Sequence, residues 1–314
     1  MLGAGGVAGV AWLNGVLAGI EASTGTDFRR ADCFVGTSAG SIIAARLCAG
    51  RRPRRPGEGE DDDSALLADG GAKTAPGPAT GGDAAAAAVA HAADALGALG
   101  SAIEPLVGPF VPLALAAAAP GGARARRLVL AFTPKGRRNH DDLVEHLDRL
   151  RSRFDGRLRV CCVERSSGRR VVFGAPGAPD ASVGQAVAAS CTIPGVFKPV
   201  RIGGRDYVDG GAWSPTNLDV AVVARDTRVL CLNPLGALGS ASPSGRSLLA
   251  SALRLAEGLE ATVLRQRGAT VQTIVPDLAS ASAMGSNLMS RRTSRAVSLA
   301  AYAQGLALGR VSDG

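Results

Sequence analysis

Val10, Leu13, Leu17 and Ile20 recur at spacings of three and four, which predicts a helix directly after a glycine-rich start. Residues 32–36 read as a short buried strand, and Ile42, Ile43 and Leu47 open the helix that follows. "RLVLAFTP" at 127–134 reads as a strand by its Val and Leu content, and Leu143, Leu147, Leu150 and Phe154 predict a helix that starts near Asn139 or Asp141. "LRVCCVE" and "RRVVFG" flank "RSSG" as a hairpin, "SVGQAVAASC" is helical in pattern, and "VFKPVRIGGRDYVDGG" forms a second hairpin. "RVLCLNP" and "VQTIVP" are strands among long helical patterns at 247–267 and 290–308. Strands alternating with helices predict an α/β fold with a largely parallel central sheet. No internal repeat is present, and a single domain over 1–314 with a flexible insertion accounts for the pattern.

The pattern breaks in the middle of the chain. Residues 51–83 hold arginines, prolines, the acidic run "EGEDDD" and then Gly, Ala, Pro and Thr. Such a segment buries too little apolar surface to offset its ordering entropy, which predicts a disordered loop. Residues 84–120 are apolar but interrupted by His91, Asp94, Glu104, Pro105, Pro109 and Pro112. A spanning helix needs about twenty apolar residues with few charges, so this stretch reads as a cap: a lipid-facing interfacial segment or a buried helical pair. The first twenty residues are as apolar as a signal peptide but lack a basic leading region, and their glycines are patterned. They read as part of the fold of a cytoplasmic protein.

Composition narrows the partners. A hydrophobic content of 46% with only 4% aromatic marks a protein written mainly in Ala, Val, Leu and Gly. The net charge of +8 attracts anionic lipid surfaces or nucleic acid. No RNA- or DNA-binding motif and no basic patch interleaved with aromatics is present, so nucleic acid is not expected. Cys33, Cys48, Cys161, Cys162, Cys191 and Cys231 sit mostly in apolar runs and not at CxxC spacings, as buried thiols do. Neither zinc nor a disulfide framework is indicated, and "EDDD" lacks calcium-ligand spacing, so no metal is implied.

Three segments carry candidate chemistry. In "FVGTSAGSII", Ser38 stands between Gly36 and Gly40 at a strand-to-helix junction. This is a nucleophile elbow or an ordinary turn, since Gly and Ser serve both. "GAGGVAG" at 3–9 precedes a helix, where free backbone N–H groups and the helix dipole make an anion site for a phosphate or for the oxyanion of acyl transfer. A dinucleotide fingerprint wants a preceding strand and an acidic residue about twenty positions on. Only Met1 and Leu2 precede the glycines here, and Glu21 falls on the predicted helix. "DYVDGGAW" places Asp209 at a strand end before two glycines, as a base or as a turn residue. His91, His140 and His146 all precede Asp209, against the Ser, acid, His order of α/β-hydrolases, and the last two read as solvent-exposed. A serine enzyme built on these segments must use a carboxylate as its base.

The order "GAGGVAG", "GTSAG", "DGG", with "AASCTIPGVFKPVRIGGRDYVDGG" leading into the last, resembles the patatin-like phospholipases. The resemblance covers most of the chain apart from about residues 51–120 and implies a three-layer α/β fold and lipid acyl hydrolysis without cofactor. It implies Ser38 as nucleophile, Asp209 as the base that also activates the deacylating water, and the amides of Gly5, Gly6, Val7 and Ala39 as oxyanion donors, with Gly36 and Gly40 shaping the elbow. The partner expected is a lipid or ester substrate, with peripheral membrane contact; oligomeric state is left open. Transfer of the acyl group to an acceptor other than water, and a silent lipid-binding protein that keeps the fold, are the alternatives. Two departures stand out: Ala8 occupies the position where members often carry a basic residue, and the first strand is reduced to Met1 and Leu2. The second predicts a start upstream or a shortened strand that anchors the oxyanion loop poorly.

Overall fold

The computed structural model describes residues 1–58, 122–237 and 248–312. The loop expected at 51–83 lies outside these apart from 51–58, and the cap expected at 84–120 lies wholly outside. The described elements are α1 (Gly6–Thr24), β1 (Phe34–Gly36), α2 (Ala39–Cys48), α3 (Gly122–Phe132), α4 (Asp141–Arg149), β2 (Leu158–Glu164), β3 (Arg170–Phe173), α5 (Val183–Ser190), β4 (Val200–Ile202), β5 (Arg205–Asp209), β6 (Arg228–Leu232), α6 (Leu248–Gln266), β7 (Thr270–Ile274), α7 (Leu278–Met284) and α8 (Ser294–Ser312).

The fold is α/β with a mixed sheet. β1 pairs parallel to β2 and β6 parallel to β7, while the two expected hairpins add antiparallel pairs, β2 with β3 and β4 with β5. Side-chain alternation along the strands sorts the helices onto two faces. Leu158, Val160 and Cys162 of β2, with Leu232 and Ile274, face a core shared by α1, α2, α4, α5 and α8. Val163 and Val208 face Leu130 of α3, and Val229, Cys231 and Val271 face Ala261 and Leu264 of α6. Helices thus cover both sides, giving three layers.

α1 is buried all round from Val7 to Gly19 rather than along one stripe. By length and composition it could cross a membrane. Here it packs along α8, where a side chain at Gly15 would press on Ala301 and one at Gly19 on the backbone of Tyr302. Trp12 Nε1 donates to Gln304 Oε1 at 3.0 Å across the same seam. The glycines lower helix propensity but let the two backbones approach.

The residues before the glycine loop are anchored on both sides. Leu2 bridges in parallel to Gly36 and to Leu232. Its N–H donates to Val35 O and its carbonyl accepts from Thr37 N, while Gly3 N reaches Leu232 O and Ala4 N reaches Pro215 O. The expected weak anchoring of the oxyanion loop is therefore not found.

The structure departs from the sequence pattern at three further places. Residues 127–134 are not a strand: α3 runs through them, with Arg126 and Leu130 buried four apart on one face and Leu128 and Phe132 exposed on the other. The Ala, Arg and Leu of this stretch favour helix, and they outweigh Val129 and Phe132. The helix at 141 ends at Arg149, so Phe154 reaches the core from beyond its end. His140 is buried at 4% exposure, stacked on Phe197 with ring centroids 4.0 Å apart, and not in solvent.

Candidate active site

Strand register brings Ser38 and Asp209 together. β1 pairs with the first half of β2, ending at Gly36 opposite Val160. β5 runs the other way along the same edge of β2 and ends at Asp209 opposite Cys162. The two strands meet end to end with Cys161 between them. Gly210 then turns over the Cys161 carbonyl, where a Cβ would overlap it.

Ser38 has φ 52 and ψ −122, a strained conformation for a residue with a side chain, and it starts α2 without capping it. The flanking glycines are required by space: a Cβ at Gly36 would overlap the backbone of Ser41, and one at Gly40 the carbonyl of Leu2. The Ser38 amide donates to Ser190 Oγ at 2.9 Å, and Ser190 in turn donates to Cys161 O at 2.7 Å. Ser41 Oγ donates to Ser38 O at 2.6 Å. The elbow is thereby tied to the strand at the point where the two strand ends meet.

Asp209 is 1% exposed. Its Oδ1 accepts from Gly211 N at 2.7 Å, and its own N–H donates to Thr192 O at 2.9 Å. Burial pushes its carboxyl up to about 7, against the opposing pull of the Gly211 amide and the Ser38 hydroxyl. Ser38 is thus near enough to act on the carboxyl, yet no hydrogen bond of standard length and angle joins them, and Oδ2 is buried without a partner. A loose contact of this kind is common before substrate binds.

The expected oxyanion donors lie beside the elbow. Gly5 caps α1 and Gly6 takes φ +62. Gly3, Ala4, Ala8 and Gly9 all spend their amides on backbone carbonyls, whereas those of Gly5, Gly6, Val7 and Ala39 donate to no described residue. The N-termini of α1 and α2 lie side by side, since a Cβ at Gly9 would contact that of Ala39 at 3.5 Å. Two helix N-termini with free amides form a region of positive potential.

Several residues of the site have no signature in the sequence. Asn217 is fully buried and holds both halves: its Nδ2 donates to Thr37 Oγ1 at 3.0 Å, to Gly210 O at 3.3 Å and to Ser214 O at 2.6 Å. Arg170 fixes its orientation, donating to Asn217 Oδ1 at 3.1 Å while paired with Asp219 at 2.6 Å. Ser190 is another such residue. Leu288 and Met289 close over the glycine loop: Ala8 N donates to Leu288 O at 2.9 Å, and a Cβ at Gly6 would meet Leu288 O and Met289 Sδ, each at 2.9 Å. None of these carries a local motif; Asn217, eight positions past Asp209, lies nearest to one.

His140 takes no part in this arrangement. Its Nε2 meets Cys191 O at 3.1 Å, and burial lowers its pKa to about 4 although that carbonyl opposes the shift. It is neutral at physiological pH.

The family model for patatin-like phospholipase matches residues 1–222. The chain belongs to the patatin-like phospholipase family, in agreement with its motif order, and the activity general to that family is lipid acyl hydrolysis. No curated protein matches the chain.

Proposed function

We propose that this protein is a serine acyl hydrolase that cleaves carboxylic ester bonds of lipids through a Ser38–Asp209 dyad and an acyl-enzyme. The single observation that carries the reading is the meeting of β1 and β5 on one edge of β2, which sets a strained serine beside a buried carboxyl. Asp209 Oδ2 accepts the Ser38 proton as Oγ attacks the ester carbonyl. The amides of Gly5, Gly6, Val7 and Ala39 receive the developing oxyanion, each such donor being worth a factor of about a hundred or more in rate. Asp209 returns the proton to the leaving alcohol, then takes one from the water that attacks the acyl-enzyme and passes it to Ser38 Oγ as the acyl–serine bond breaks and the carboxylic acid leaves. A carboxyl pushed up to about 7 suits this work, because a base is most effective when its pKa lies near the operating pH. Ser190 and Asn217 position the dyad.

The test is hydrolysis of a panel of phospholipid, lysophospholipid, glyceride and short-chain esters by wild type, Ser38→Ala and Asp209→Asn. Wild type cleaves at least one class and both variants lose that activity. Undiminished turnover in Ser38→Ala overturns the reading.

A further inference from the structure

We propose that α3 and the loop after it form a docking surface for anionic lipid membranes. Leu128 and Phe132 are 59% and 61% exposed and stand four apart on one helical face, with exposed Ala131 between them. Arg124 and Arg127 continue the same face one turn back, and exposed Lys135 and Arg137 follow in the loop. Between Gly122 and His140 the chain has six basic residues, of which Arg126 is buried, and no Asp or Glu.

The opposite face of α3 anchors the helix to the sheet. Leu130 packs on Val163 and Val208, and buried Arg126 donates to Ala212 O and Gly168 O, each at 2.8 Å, under the ring of Trp213. Lys135 pairs with Asp206 at 3.0 Å, and Asp206 also meets Arg201 at 3.4 Å. Arg124, Arg127 and Arg137 have no carboxylate partner among the described residues.

Apolar side chains flanked by cations on one exposed face fit the boundary of an anionic bilayer, where the apolar groups enter the acyl region and the guanidinium groups meet phosphates. Nucleic acid would satisfy the cations but leave Leu128 and Phe132 in water, so lipid is favoured. Docking rests on the lipid reading of the active site for its purpose, but binding itself needs no catalysis.

Vesicle flotation of the full chain tests the surface, with phosphatidylcholine alone and with added phosphatidylglycerol, beside hydrolysis of a soluble short-chain ester. Wild type floats with the anionic vesicles and loses this as salt rises. Leu128→Ser/Phe132→Ser and Arg124→Gln/Arg127→Gln each weaken flotation about tenfold or more, with soluble-ester turnover unchanged. Wild type that does not float, variants that float like wild type, or a nucleic-acid duplex bound in preference to vesicles would each overturn the proposal. Flotation lost in the variants while no ester is cleaved would uphold docking and sink the hydrolase reading alone.

Discussion

As the proposed base, Asp209 has to stay buried and yet take a proton, and those two demands set its behaviour. Its pKa of about 7 stands above the ordinary 3.8, so the folded state binds a proton that the unfolded state has lost between these values. The carboxyl is therefore neutral to stability below about pH 4 and increasingly destabilising from there to about pH 7. Its cost grows by roughly 1.4 kcal/mol for each pH unit crossed in that window and is constant above it. Asp209→Asn should gain stability over wild type as pH rises through the window, and thermal melts at pH 4 and pH 8 compare them; a difference that does not grow with pH contradicts the assignment. Activity follows the opposite trend, because only the ionised carboxylate accepts the serine proton. kcat/KM on a soluble ester should climb about tenfold per pH unit below about 7 and level off above. A profile flat down to pH 5 would speak against Asp209 as base.

Elements explain which parts of the site the sequence reveals. Ser38, Asp209 and the glycine loop are legible because each sits in a local pattern of small residues at a strand or helix end. Ser190 and Asn217 are not, because their hydrogen bonds reach 152 and 180 residues away to Ser38 and Thr37, and no local spacing encodes that. α3 resembles a strand in sequence for a related reason: its period of four shows only once Arg126 is recognised as an inward-facing residue, and an arginine is seldom buried. The role of α5 can be tested at its last residue. Ser190→Ala leaves the Ser38 amide and the Cys161 carbonyl without their partner, at a cost of about 2–3 kcal/mol. Denaturant unfolding should show that loss together with slower nucleophile labelling, and an unchanged midpoint would count against the tether.

The whole molecule extends past the family's matched region. Residues 1–222 contain the proposed dyad and the glycine loop, yet β6 flanks Leu2, Pro234 packs 2.6 Å from where a Cβ at Gly5 would lie, and Leu288 and Met289 cover Gly6. α8 supplies the partner surface of α1. A chain ended at Val222 should thus lose cooperative thermal unfolding, and one that melts cooperatively and stays active contradicts this dependence. In the proposed mechanism, two strands meeting on one edge of β2 make a nucleophile of Ser38. The most direct measurement is fluorophosphonate labelling of the full chain, with the modified residue mapped by mass spectrometry. A single adduct should form on Ser38, absent in Ser38→Ala and strongly slowed in Asp209→Asn. An unlabelled wild type, or an adduct that persists in Ser38→Ala, would contradict it.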